Sequence, residues 1–228
     1  AGQVWLKSVF GYNALEIAAN QAFAASVADP RSTAYDILGA RYVVSGNVLE
    51  PALLEGERAL RLIGETGSAH VYERGRVLPV ARLVTRYEAI TDDEAATARV
   101  HAPDFDPATT VILEREPGCT PSGTAGTARV IEERPGFWRI ETESDGPALL
   151  ILSETAYPGW QATLNGTKAE IMTAYTAIRA VCVPAGASEV VMRYDPASLK
   201  IGAGISLLAL AGLSAAAFSL QRVGAASE

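Results

Sequence analysis

From Ile201 to Leu220 the chain runs IGAGISLLALAGLSAAAFSL, twenty residues without a charged side chain. At about 1.5 Å of rise per residue, a helix of that length spans about 30 Å, the thickness of a bilayer's hydrocarbon core. Lys200 stands just before the run and Arg222 just after it, where long cationic side chains snorkel toward headgroups. A helix of this length buried in a soluble core normally keeps a polar stripe, and this one has none. The pattern therefore predicts a transmembrane helix over 199–222, followed by a short tail at 223–228. Its five Leu, two Ile and one Phe favour insertion by about 2 to 5 kcal/mol in total. The other twelve places hold Gly, Ala and Ser, with Ala211 and Ala215, and Gly212 and Ala216, at i, i+4 spacing. Small residues so spaced let helix backbones approach closely, so the expected partners are the lipid bilayer and other transmembrane helices. Arg193 and Lys200 on one side and Arg222 on the other give no preferred orientation.

A net charge of −7 and a pI near 5.0 leave no basic stripe for phosphates, which excludes a nucleic-acid partner. Cys119 and Cys182 make no disulfide scaffold. They are either one bridge in an oxidising compartment or two unrelated thiols. The first residues, AGQVWLKSVFGY, carry no initiating Met and no signal-peptide pattern, so a fragment of a longer protein is expected.

Ahead of the span the expected fold is α+β and mostly β. Asn13 and Glu16 have capping-box spacing before a helical pattern over 14–28, which Asp29-Pro30 stops. A short helix is expected over 33–38, ended by Gly39. Strands are expected at 41–45, 69–73 and 80–87, and a helix at 91–99. The loop PGCTPSGTAGT at 117–127 is taken as a boundary. On that reading 1–116 is a smaller α+β region and 117–198 an antiparallel β-sandwich. Its strands lie near 127–133, 137–143, 147–153, 160–164, 167–171, 177–183 and 188–194.

Asn165-Gly166 is the favoured pair for a two-residue hairpin turn. Closing it sets Leu164 against Thr167, Ala162 against Ala169 and Trp160 against Ile171. Trp160 then shares a core-facing side with Leu164 and Ile171, which makes Trp160, Asn165 and Gly166 structural anchors. Asn165-Gly166-Thr167 also matches a glycosylation sequon, but the turn accounts for all three residues.

The stretch 149–206 resembles the C-terminal end of YfhO-type bacterial membrane proteins, which are polytopic and resemble GT-C glycosyltransferases. The features that carry the likeness are Tyr157-Pro158-Gly159-Trp160, the Asn-Gly hairpin, Arg179-Ala180-Val181, Pro184-Ala185-Gly186 and Arg193-Tyr194-Asp195-Pro196. Leu38 to Ser45, Val71-Tyr72-Glu73 and Leu78-Pro79 are similar more loosely. The resemblance implies an extracytoplasmic region beside the last span of a bacterial membrane glycosyltransferase-like protein. In such proteins the catalytic carboxylate lies in an early outer loop, which has no counterpart here, so no catalytic residue carries over.

No nucleophile, P-loop or zinc-protease motif appears, His70 and His101 stand apart, and neither a metal nor a cofactor is expected. Tyr157, Tyr175 and Arg179 form the candidate glycan-contacting set, since aromatic faces beside polar groups suit sugar rings. The expected function is a non-catalytic accessory domain, with a cell-envelope glycan as a further candidate partner. The alternatives are a membrane-anchored glycan-binding module and a purely structural domain of a membrane complex.

Overall fold

The computed structural model describes residues 29–56 and 58–225, with side chains through Ser214. The helix expected over 14–28, with its cap at Asn13, lies outside the described residues.

Helix α1 (Thr33–Ile37) starts where the Ser32 hydroxyl accepts from the Ala34 amide, and it ends before Gly39, whose φ is +69°. Strands β1 (Tyr42–Ser45), β2 (Leu60–Thr66) and β3 (Ala69–Arg74) make an antiparallel three-stranded sheet in the order β1-β3-β2. Asp36 of α1 is fully buried and pairs with Arg74 of β3, which is itself buried. Arg58 stands 3.3 Å from the same carboxylate. This ion cluster joins α1 to the small sheet.

The rest of the fold is a sandwich of two larger sheets. One contains β7 (Gly126–Arg134), β8 (Phe137–Ser144), β10 (Trp160–Leu164), β11 (Thr167–Ala169) and β14 (Gly186–Tyr194), in the order β11-β10-β14-β8-β7. The other contains β4 (Ala81–Val84), β5 (Arg86–Ala89), β6 (Thr110–Leu113), β9 (Ala148–Thr155), β12 (Met172–Ala174) and β13 (Ile178–Val183), in the order β4-β9-β13-β12-β6-β5. The boundary expected at 116/117 is therefore corrected: β4, β5 and β6 lie upstream of it and belong to the second sheet. Within 117–198 the strands pair antiparallel with one another, as expected. β5 and β6 run parallel, joined through helix α2 (Asp93–Val100), as a parallel pair requires a crossover.

The strand expected over 80–87 breaks at Thr85, and the break has a geometric consequence. β4 and β5 close the two ends of the six-strand order, yet only Thr85 separates them. A flat sheet would hold its edges five strand spacings apart, roughly 24 Å, whereas two residues of chain reach roughly 7 Å. The sheet must curl until its edges meet.

β9 shows why the core has two compartments. Leu149 and Ile151 face a cluster with Ile37 of α1, Val100 of α2, Phe105, Ile112 and Ile178. Leu150 and Leu152 face the other way, against Ile140, Ala162, Val181, Val190 and Met192 between the two sheets. A strand buried on both faces needs an unbroken apolar run, which Ala148 to Leu152 supplies.

The loop expected over 117–127 is fastened at several points. Cys119 and Cys182 form a disulfide with Cα atoms 6.1 Å apart, which settles the open pairing question in favour of one bridge. The amides of Ser122 and Gly123 both donate to the Pro147 carbonyl, at 2.9 and 3.2 Å. The Asp145 carboxylate accepts from the Thr124 and Ala125 amides at 2.8 and 3.1 Å. Helix α3 (Ala197–Ala225) follows the sandwich, and none of its apolar window Ala197–Ser214 is buried.

Candidate functional site

Of the residues singled out by sequence, Tyr157 and Trp160 lie at the end of the sandwich next to α3, while Asn165 and Gly166 lie at the far end of β10 and Tyr175 belongs to the other core compartment. Tyr157-Pro158-Gly159-Trp160 is the expected strand-entry turn. Gly159 has φ +108°, and the Trp160 amide donates to the Tyr157 carbonyl at 3.4 Å. The turn brings Trp160 onto β10, where it pairs with Tyr194 of β14. β11 stops at Ala169, so the expected Trp160–Ile171 pair does not form, though both residues pack on the inter-sheet core. The hairpin itself has the expected register, with φ of +49° at Asn165 and +81° at Gly166. The Asn165 side chain is engaged, accepting from the Glu189 amide at 2.8 Å.

Val181 and Val183 of β13 pack between the sheets, and the two-residue period of the strand puts Arg179 on the same side. Its guanidinium lies 3.7 Å from the Trp160 ring centroid, and the side chain is fully buried. Its Nε donates to the Glu154 carbonyl at 3.4 Å, and Nη2 lies 3.7 Å from Glu154 Oε2. Nη1 approaches Met192 Sδ at 3.6 Å. Burial pushes the guanidinium down to about 10, with the Glu154 carboxylate opposing. At neutral pH Arg179 is still a cation, held by an indole face and one half-buried carboxylate.

The structure therefore does not bring Tyr157, Tyr175 and Arg179 together on one surface. Tyr157 is 48% exposed. Tyr175 is buried in the other core compartment, edge-on to Phe105 at 6.2 Å, and its hydroxyl donates to the Thr110 carbonyl at 2.9 Å. Burial pushes the Tyr175 phenol up to about 12. Neither Tyr175 nor Arg179 presents surface to a sugar, and Arg179 occupies one face of the Trp160 ring. The residues that sequence reasoning missed are Glu154, the carboxylate beside Arg179, and Tyr194, whose ring lies 5.5 Å from Trp160 and 6.4 Å from Tyr157. Tyr194 was visible only as part of Arg193-Tyr194-Asp195-Pro196. Glu154 carries no signal in the sequence.

His70 Nε2 lies 3.5 Å from Glu65, and His101 Nδ1 lies 3.5 Å from the Ser32 hydroxyl. Among the described residues no group of three His, Cys, Asp or Glu side chains is placed to hold a metal ion. The fold and the site define a β-sandwich protein with, among the described residues, one helix long and apolar enough to cross a membrane. No protein-family model, curated protein or solved structure matches the chain.

Proposed function

We propose that the chain is a non-catalytic accessory domain tethered to a bacterial cell membrane by α3, with residues 1–198 on the extracytoplasmic side. The observation that carries this reading is the apolar helix leaving the sandwich with none of its window covered by protein. A helix hydrophobic on all sides needs lipid or other helices around it. The Cys119–Cys182 bridge supports the outer compartment, since disulfides persist where the environment oxidises. The polytopic, glycosyltransferase-like parent and its cell-envelope glycans are supported by the likeness of residues 149–206 to YfhO-type proteins. The glycan-binding alternative retains Tyr157 alone as an exposed member of its set.

The test is thiol labelling of the full chain in spheroplasts. Thr167→Cys should react with a membrane-impermeant maleimide in intact cells, and Ser227→Cys only after permeabilisation. Both variants should stay with the membrane pellet after a carbonate wash. A chain released by carbonate, or Thr167→Cys shielded in intact cells, overturns the reading. Sugar transfer from a lipid-linked donor by the purified chain would overturn its non-catalytic part.

A further inference from the structure

The end of the sandwich that meets α3 is built from three segments bonded to one another. The Tyr194 amide donates to the Gly136 carbonyl at 2.9 Å, which brings in the β7–β8 turn. The Asp195 amide donates to the Gly159 carbonyl at 2.8 Å, which brings in the turn at 157–160. Gln161 Nε2 adds a bond to the Asp195 carbonyl at 3.3 Å. A Cβ on Gly159 would stand 2.9 Å from Cβ of Pro196, so this turn lies directly on the residue before α3 begins. The helix and these turns therefore share one level along the chain's exit.

Two large aromatic side chains are left open at that level, Tyr157 at 48% and Tyr194 at 40% exposure. Cations lie on the segments that meet here. The Arg134 and Arg193 guanidiniums stack on the Phe137 ring at 4.5 and 4.9 Å from its centroid. Lys200 sits one turn into α3. Carboxylates are present too: Arg134 has Glu132 at 2.7 Å, and Lys200 has Asp195 at 2.5 Å. Both of these pairs are solvent-exposed, where an ion pair is worth little and exchanges readily for another anion. Tyrosines with an apolar ring and a polar tip, interleaved with cations, are the side chains enriched at headgroup depth. The depth also fits. From Ala197 to Ile201 a helix rises about 6 Å, roughly the thickness of one headgroup layer.

We infer that this end of the sandwich seats in the lipid headgroup layer, with Tyr157 and Tyr194 among the headgroups and Arg134, Arg193 and Lys200 facing phosphate. The sandwich then stands at a fixed tilt on the bilayer instead of swinging on α3. The inference rests on α3 spanning the membrane, and the experiment separates the two.

The full chain is placed at one copy per bilayer disc of mixed zwitterionic and anionic phospholipid. An environment-sensitive fluorophore is attached through Pro158→Cys, through Thr167→Cys on the far hairpin, or through Leu208→Cys within α3. The expected result is acrylamide quenching several-fold weaker at 158 than at 167. A headgroup-linked spin label should quench the probe at 158 and not at 167. Exchanging Tyr157 and Tyr194 for Ser together should return position 158 to the accessibility of 167. If 158 and 167 are equally open while 208 is shielded, the headgroup seat is overturned and the span stands. If 208 is as open as 167, the span is overturned and the seat with it.

Discussion

The Arg179 guanidinium and the Trp160 indole, 3.7 Å apart, come from opposite sheets, so their contact bolts the sandwich together at the end nearest α3. The bolt has a cost, because a buried cation with one distant carboxylate loses more hydration than it regains. Trp160→Ala removes the ring that covers Arg179 and should destabilise the domain by about 3 kcal/mol, the low end for a buried Trp because Trp160 is only half-buried. Arg179→Met keeps the length and contacts Met192 without a charge, so it should leave the melting temperature unchanged or raise it. Thermal melts of the full chain in detergent check both. A fall with Arg179→Met as large as with Trp160→Ala would show that the cation itself stabilises the fold.

The disulfide closes a loop between residues 63 apart in sequence. On the chain-entropy account, a closure of that size is worth roughly 4 kcal/mol. Replacing both Cys119 and Cys182 with Ser should lower the melting temperature, and reductant should do the same to the parent chain but not to the variant. Protease cleavage should appear first in 117–127, the loop that the bridge holds against β13. A parent chain indifferent to reductant would contradict this.

The turn from β12 to β13 holds two non-glycine residues in the left-handed region, Tyr175 at φ +49° and Thr176 at φ +62°. For a β-branched residue this conformation costs on the order of 1–2 kcal/mol. Thr176 does not recover that cost through its hydroxyl, which is buried without a hydrogen bond. Thr176→Gly should therefore stabilise the chain, by about 1 kcal/mol after glycine's added freedom in the unfolded state. An unchanged or lower melting temperature would mean that the Thr176 methyl contributes packing of equal size.

The parts of the fold that were legible in sequence are those fixed by local chemistry. Asn165-Gly166 sets its hairpin because both residues accept positive φ, and β7, β8, β9 and β10 fall within a residue or two of expectation. β2 was not legible, because beyond Leu60 it is exposed along its length and shows no alternation. β6 was missed because three successive buried residues, Val111, Ile112 and Leu113, give no period to read. The membership of β4 and β6 in the second sheet depends on pairing with β9 and β12, more than 60 residues downstream, and β5 joins only through its parallel pairing with β6, none of which a local pattern encodes. The same limit applied at the candidate site. An Arg beside aromatics in sequence suggests a surface, but the parity of β13 sends Arg179 inward and its contacts come from β9, β10 and β14.

Asp145 is a point where acid should loosen the structure. Its carboxylate accepts from the Thr124 hydroxyl and from the Thr124 and Ala125 amides, and these bonds hold its pKa below the ordinary carboxylate value. The unfolded chain releases that proton near the usual value of about 3.9, so the stabilisation is complete above it. The stabilisation is lost as pH falls through the lower, folded value, because protonation then weakens bonds that the native state alone makes. Asp145→Asn keeps one acceptor oxygen for the two amides but gives up the charge. At the second oxygen's place it puts an amide that cannot accept from Thr124. The variant should melt lower than the parent at pH 7, show a flatter dependence on pH in the acid range, and meet the parent's curve once the parent's carboxyl is protonated. Gly123 and Gly146 make this loop sensitive, since a Cβ on Gly146 would stand 2.8 Å from Cα of Gly123 and the loop has little room to shift. Melting temperatures of both chains from pH 7 to pH 3 decide the matter: two curves that stay parallel throughout would remove Asp145 from the account of acid sensitivity.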